Sequence, residues 1–130
     1  MDLNQVTVLV ANLPVSVRFY QTLGLRQIVD SPHYARFECK DGEATFSLHI
    51  SDVPVVPSST VIYFESNRLD ELVRELEQQG IAFDSQPEDQ RWEWREARLR
   101  DPDGHPICLY HAGEFRKNPP WRIKSEMEPS

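Results

Sequence analysis

The feature that most limits what this chain can become is an internal repeat. Sliding the sequence so that Leu13 falls on Leu69 also lays Val17 on Val73, Tyr20 on Leu76, Gly24 on Gly80 and Leu25 on Ile81. The register holds across a helical stripe, its glycine terminus and the start of the next strand. A chain repeated in this way builds two copies of one supersecondary unit, and each unit must bury a face.

Within each copy the pattern changes period in the same order. Leu3 to Ala11 alternates as a strand, with Val6, Val8 and Val10 on one face and Gln5, Thr7 and Leu9 on the other. Asn12-Leu13-Pro14 opens a helix whose stripe is Leu13, Val17, Tyr20 and Leu23, and Gly24 ends it. Leu25 to Val29, Tyr34 to Lys40 and Ala44 to Ile50 read as strands, the last two joined by an Asp41-Gly42 turn. Ser51 to Ser59, with Pro54 and Pro57, is a linker. The second copy runs as a strand from Thr60 to Glu65 and a helix from Asn67 to Gln79. A short strand, Ile81 to Asp84, and a polar loop from Gln86 to Arg91 follow. The last two strands are Trp92 to Arg100 and His105 to His111. Between these, Asp101-Pro102-Asp103-Gly104 is a strong turn signal: proline pre-sets φ, and glycine tolerates its positive values.

These spans predict one α+β domain over 1–130. It divides into a first βαβββ module at 3–50, a linker at 51–59, a second module at 60–111 and a C-terminal tail at 112–130. The tail, with Pro119-Pro120, is expected to be extended and disordered at its end, with Trp121 and Ile123 as anchors to the body. At 130 residues, 39% hydrophobic and 27% charged, the chain suits a soluble globular domain. A net charge of -7 argues against a general nucleic-acid or anionic-membrane surface. No apolar run is long enough to span a bilayer, and the N-terminus lacks the pattern of a signal peptide. Cys39 and Cys108 lie in separate strands without zinc-site spacing, which suits reduced thiols and a cytoplasmic setting.

If the helices cover one face of each sheet, the other faces line an open cup. By strand parity that lining is Gln5, Thr7, Tyr34, Arg36, Glu38, Thr45, Ser47, His49, Val61, Tyr63, Glu96, Arg98, Cys108 and Tyr110. A concave surface with polar groups among aromatics is what a small-molecule site presents. Arg36 and Arg98 suit an anionic ligand, and Tyr34, Tyr63, Trp92, Trp94 and Tyr110 suit a planar one. Glu38 and Glu96 are expected to pair with Arg36 and Arg98 across strands. His49 is the candidate base. Cys108 is a candidate nucleophile if Arg98 lowers its pKa. His33 and His105 read as exposed or turn residues.

The stretch Val6-Thr-Val-Leu-Val-Ala-Asn-Leu-Pro-Val-Ser-Val-Arg-Phe-Tyr20, with Leu23-Gly-Leu25 and Asp101-Pro-Asp-Gly-His-Pro-Ile107, resembles the vicinal oxygen chelate superfamily. That superfamily includes glyoxalase I, bleomycin-resistance proteins and extradiol dioxygenases. The resemblance runs from about Leu3 to His111 and implies two modules forming a curved mixed sheet with helices outside. In metal-using members four positions hold the ion, and here these fall on Gln5, Ser47, Val61 and Cys108. An alkyl group and a thiol at two of the four make the usual divalent metal a poor fit. The implied function is therefore binding of a small organic molecule, anionic or aromatic, in a concave pocket without that metal. Its lining is Gln5, Arg36, Glu38, Ser47, Tyr63, Trp94, Arg98 and Tyr110, with His49 and Cys108 as catalytic candidates. One alternative is a glyoxalase-like lyase or isomerase, or a dioxygenase, whose atypical set includes Gln5, His49 and Cys108 and holds zinc, nickel, manganese or iron. Another is a non-enzymatic interaction module. Open cup edges, and the pairing of many superfamily members, imply a homodimer, while the charge and the lack of a spanning run imply neither nucleic acid nor membrane as partner.

Overall fold

Asn12 shows how locally the first module is specified. Its side-chain carbonyl accepts the Val15 N–H at 3.1 Å, Pro14 sits in the first turn, and Gly24 closes the helix at φ 109°. A computed structural model describes residues 1–124. Residues 125–130, the far end of the expected tail, lie outside the described residues. The first module contains β1 (Gln5–Val10), α1 (Leu13–Leu23), β2 (Arg26–Asp30), β3 (Tyr34–Glu38) and β4 (Thr45–Ile50). The second contains β5 (Ile62–Glu65), α2 (Leu69–Gln78), β6 (Phe83–Asp89), β7 (Arg95–Arg100) and β8 (Pro106–His111). This is the α+β pattern of two βαβββ units. α2 lacks a side-chain cap, but Asp70 and Glu71 in its first turn complement the helix dipole.

The two four-stranded sheets share one topology, β1-β4-β3-β2 and β5-β8-β7-β6. First and last strands of each module run parallel, and the remaining pairs are antiparallel. Leu13 and Tyr20 of α1, and Leu69, Val73 and Leu76 of α2, are buried in a core that merges both modules. Phe46 of β4 meets Phe64 of β5 with ring centroids 5.8 Å apart.

Most element ends differ from the sequence reading by one or two residues, and three differences are larger. β6 continues through Asp89, where a polar loop over Gln86 to Arg91 was expected. It is an edge strand, so Pro87 sacrifices no ladder bond on its open side, and Glu88 and Asp89 blunt that edge. β7 starts at Arg95 rather than Trp92, because Glu93 adopts φ 69° in a turn closed by Gln90 N–H donating to the Trp94 carbonyl at 2.7 Å. The segment after β8 folds into a 3₁₀ turn at Gly113–Arg116, where Glu65 accepts the Ala112 and Gly113 N–H groups at 2.7 and 2.9 Å. Beyond it, Trp121 and Ile123 are 57% and 90% exposed, so neither anchors the tail.

The Asp101–His105 turn grips the first module. Asp101 accepts the backbone N–H groups of Asp103 and His105, both at 2.9 Å, and the Tyr20 hydroxyl at 2.7 Å. Asp103 accepts the Ala11 N–H at 3.0 Å. His105 is 5% exposed, not a surface residue. Its Nε2 donates to the Leu9 carbonyl at 2.8 Å, and its Nδ1 accepts the Ser58 N–H at 3.0 Å. Gly104, at φ +84°, lets Pro57 of the linker lie against the turn: an added Cβ would sit 3.1 Å from Pro57 Cγ. At the opposite end, the Asp41-Gly42 turn stands off from the β5–α2 junction. A cleft of about 480 Å³ remains there, lined by Leu25, Lys40, Phe64, Ser66, Arg68 and Leu72 among others.

Candidate functional site

Register across β1, β4 and β3 aligns Gln5–Thr45–Glu38, Thr7–Ser47–Arg36 and Leu9–His49–Tyr34 in three rows on the face away from α1. Gln5 Nε2 donates to Ser47 Oγ at 2.7 Å and to Thr7 Oγ1 at 3.1 Å, and the Thr45 hydroxyl donates to Gln5 Oε1. Ser47 Oγ and the Tyr34 hydroxyl lie 2.6 Å apart. Arg36 Nε donates to the same phenol at 3.0 Å, with its guanidinium 5.4 Å from the Tyr34 ring centre. Hydrogen bonding from Ser47, and then from Arg36, holds the Tyr34 phenol below its ordinary pKa against the opposing effect of burial.

Two of the sequence-assigned residues fall outside this network. His49 is exposed, and its Nδ1 lies 2.7 Å from the Ile50 carbonyl, to which it donates. Its ring stands edge-on to Tyr34 at 6.3 Å. Glu38 pairs with Arg26 at 3.4 Å and not with Arg36, because register places Arg26 opposite Glu38 on β2.

In the second module the rows are Tyr63–Cys108–Arg98 and Glu65–Tyr110–Glu96. Trp94 stacks on Tyr110 at 4.7 Å, and Tyr63 stands edge-on to both at 5.9 and 5.5 Å. Arg98 lies 5.9 Å from the Tyr63 ring centre and donates to Glu96 at 2.9 Å and to the Tyr63 hydroxyl at 3.4 Å. Arg98 and Glu96 pair along one strand, two residues apart, rather than across strands as expected. Glu96 is 4% exposed, and its other oxygen accepts Trp92 Nε1–H at 2.6 Å. Burial tends to lower the Arg98 pKa, but its bonds to Tyr63 and Glu96 outweigh this, and the net shift is upward. Cys108 is fully buried. Burial, and then the Glu96 carboxylate, push its thiol up to about 12, and Arg98 only partly offsets them. The thiol is therefore protonated near neutrality, which argues against Cys108 as a thiolate nucleophile.

The metal positions implied by the resemblance present a poor donor set for the usual divalent ion. Gln5 and Ser47 are hydrogen-bonded to each other, Val61 has no side-chain donor atom and packs against Cys108 and Tyr110, and the Cys108 sulfur is fully buried. Among the described residues, one His/Cys/Asp/Glu group is tight enough to consider as a metal site: Asp101, Asp103 and His105. Its donors are already taken by Tyr20, Ala11, Leu9, Ser58 and the backbone of the turn itself. It is a clasp between modules, and sequence reasoning missed it. The hint was the polar density of the turn, but the partners are largely backbone groups.

Tyr34, expected from the sequence as a wall of the pocket, is the hub of the first network. Its spacing of two from Arg36 on one strand face was the available signal. Among the described residues, every hydrogen bond between the modules runs through the Asp101–His105 turn, and none joins the two polar faces.

The family model described as the Glyoxalase/Bleomycin resistance protein/Dioxygenase superfamily matches residues 2–109. Among solved structures, the chain is similar to a glyoxalase/bleomycin resistance protein/dioxygenase from Nocardioides, at 23% identity and a TM-score of 0.74, covering 95% of this chain and 90% of that one. It is similar to a superfamily member from Sphaerobacter thermophilus at 21% identity and 0.71, covering 85% and 97%. A lactoylglutathione lyase from Agrobacterium tumefaciens aligns at 16% identity and 0.71, covering 85% and 92%. No curated protein sequence matches the chain. At these identities the solved structures speak for the fold alone. With the family model spanning both modules, the chain belongs to the glyoxalase/bleomycin resistance protein/dioxygenase superfamily.

Proposed function

We propose that this protein binds a small organic molecule with a planar aromatic body, and that it does so without a divalent metal. The observation that carries this reading is the ring surface of Tyr63 and Trp94 on the open face of the second module, backed by the buried ring of Tyr110. Tyr63 is 43% exposed there, with a guanidinium over its ring. Rigid aromatic surface of this kind stabilises a stacked ligand by about 0.5–1.5 kcal/mol per ring pair beyond area burial. Buried Glu96 fixes Trp92 and Arg98 at the margin, so the wall is held in shape before a ligand arrives.

The test is a fluorescence titration with 1-naphthol, a neutral planar probe, in a Trp121→Phe background. Saturable quenching is expected, unchanged by EDTA and weakened about tenfold in Tyr63→Ala or Trp94→Ala. Saturation that appears only after zinc or manganese is added would replace this reading with the metal-dependent one. Absence of saturable binding would overturn it.

A further inference from the structure

The chemistry of the ligand's polar end is written on the other module. This step rests on the metal-free binding reading above and adds to it. Arg36 and Arg98 occupy the same place in the two repeats: Arg36 stands opposite Ser47 across the sheet, and Arg98 opposite Cys108. Their surroundings differ. Arg98 already balances the buried carboxylate of Glu96. Arg36 is exposed, and no carboxylate lies within ion-pair distance of it among the described residues; its strand neighbour Glu38 is engaged by Arg26. Arg36 spends only Nε, on Tyr34, which leaves its two terminal nitrogens to the open face. Around it stand hydroxyls and an amide held by one another: Tyr34 to Ser47, Ser47 to Gln5 and Gln5 to Thr7.

A planar guanidinium with free terminal N–H groups, bordered by neutral hydroxyls and an amide and by a Glu38 carboxylate already paired with Arg26, matches a two-oxygen anion in shape and charge. The Tyr34 phenol agrees with this: its bonds from Ser47 and Arg36 lower its pKa, so negative charge is favoured on that oxygen at the edge of the Arg36 site. We propose that the open face of the first module is an oxyanion subsite, anchored by Arg36 beside the Tyr34 hydroxyl, for a carboxylate or phosphate group. Two of the four positions at which the resemblance implies a metal, Gln5 and Ser47, are members of its hydrogen-bonded surround.

The experiment is an NMR titration of the full chain at neutral pH and low salt, with inorganic phosphate and with benzoate in separate arms. Saturable amide shifts at residues 34–36 and 45–47 are expected in at least one arm. Binding should weaken about tenfold or more in Arg36→Ala, and more than in Arg98→Ala. Arg36→Lys keeps the charge without the fork and should fall between wild type and Arg36→Ala. Arg74→Ala, on the solvent face of α2, controls for general charge. Binding of phosphate alone assigns a phosphate group, benzoate alone a carboxylate, and both the shared chemistry. No saturation in either arm, or saturation that survives Arg36→Ala, overturns the subsite. Phosphate carries no aromatic body and naphthol no charge, so failure of one titration with the other intact shows which reading is wrong.

Discussion

Cys108 illustrates how a reactive group becomes a packing group. Its sulfur is closed in by Val61, Tyr110 and Ala112, and its proton is held by burial and a neighbouring carboxylate. Cys39 is also shifted upward, by burial and then by Asp41, but it is only half-buried. A disulfide thiol reagent at pH 8 is therefore expected to modify Cys39 in the native protein and Cys108 only on unfolding. Peptide mapping after a timed quench checks this, and early labelling at Cys108 would contradict it. At this scale strand parity was legible: alternation placed Arg36, Ser47, Arg98 and Cys108 on the open faces. Partners were not. Glu38 chose Arg26 over Arg36 because the offset between β2 and β3 includes a bulge, and no local pattern encodes where it falls.

The turn from Asp101 to His105 joins the two modules through directional bonds. Tyr20→Phe removes the hydroxyl that satisfies one oxygen of a buried carboxylate and is expected to cost about 1.5–3 kcal/mol in urea denaturation. The same bond carries a pH signature. Burial, and then Asp101, raise the folded pKa of Tyr20 above its ordinary 10.0. Its neutral form is thus the one the fold favours. That contribution is complete below about pH 10 and is lost as pH rises beyond it, when the unfolded chain ionises first. Wild type is expected to lose stability steeply above that point, and Tyr20→Phe to lose less over the same range, measured by thermal melts across alkaline buffers. The turn itself was plain in Asp-Pro-Asp-Gly. Its grip on the other module was hidden, because His105 reaches a backbone carbonyl at Leu9, and carbonyls are the same in every residue.

Across the whole molecule, the repeat made the architecture readable while leaving the division of labour between halves unread. Helix stripes and glycine ends recur in register, so two like units followed from the sequence. The start of β6 was read at Ile81 to Asp84, but its continuation to Asp89 escaped because an edge strand needs neither strong alternation nor an apolar face. The halves then diverge on their open sides, one a hydroxyl and guanidinium network, the other a ring cluster. Protein purified without chelator is expected to carry substoichiometric zinc, nickel, manganese and iron by plasma emission, and its melting temperature should not move with EDTA. Stoichiometric metal, lost in His49→Ala, would restore the atypical ligand set.

The clasp also has a mechanical meaning. Directional bonds gather at one end of the junction, while the end with the 480 Å³ cleft depends on side-chain packing, which sets no preferred angle. The molecule is bound like a book along its spine, with the fore-edge unstitched, so thermal breathing should open it from that side. Amide exchange should record the asymmetry as slow hydrogens at 101–105 and faster ones at 40–42.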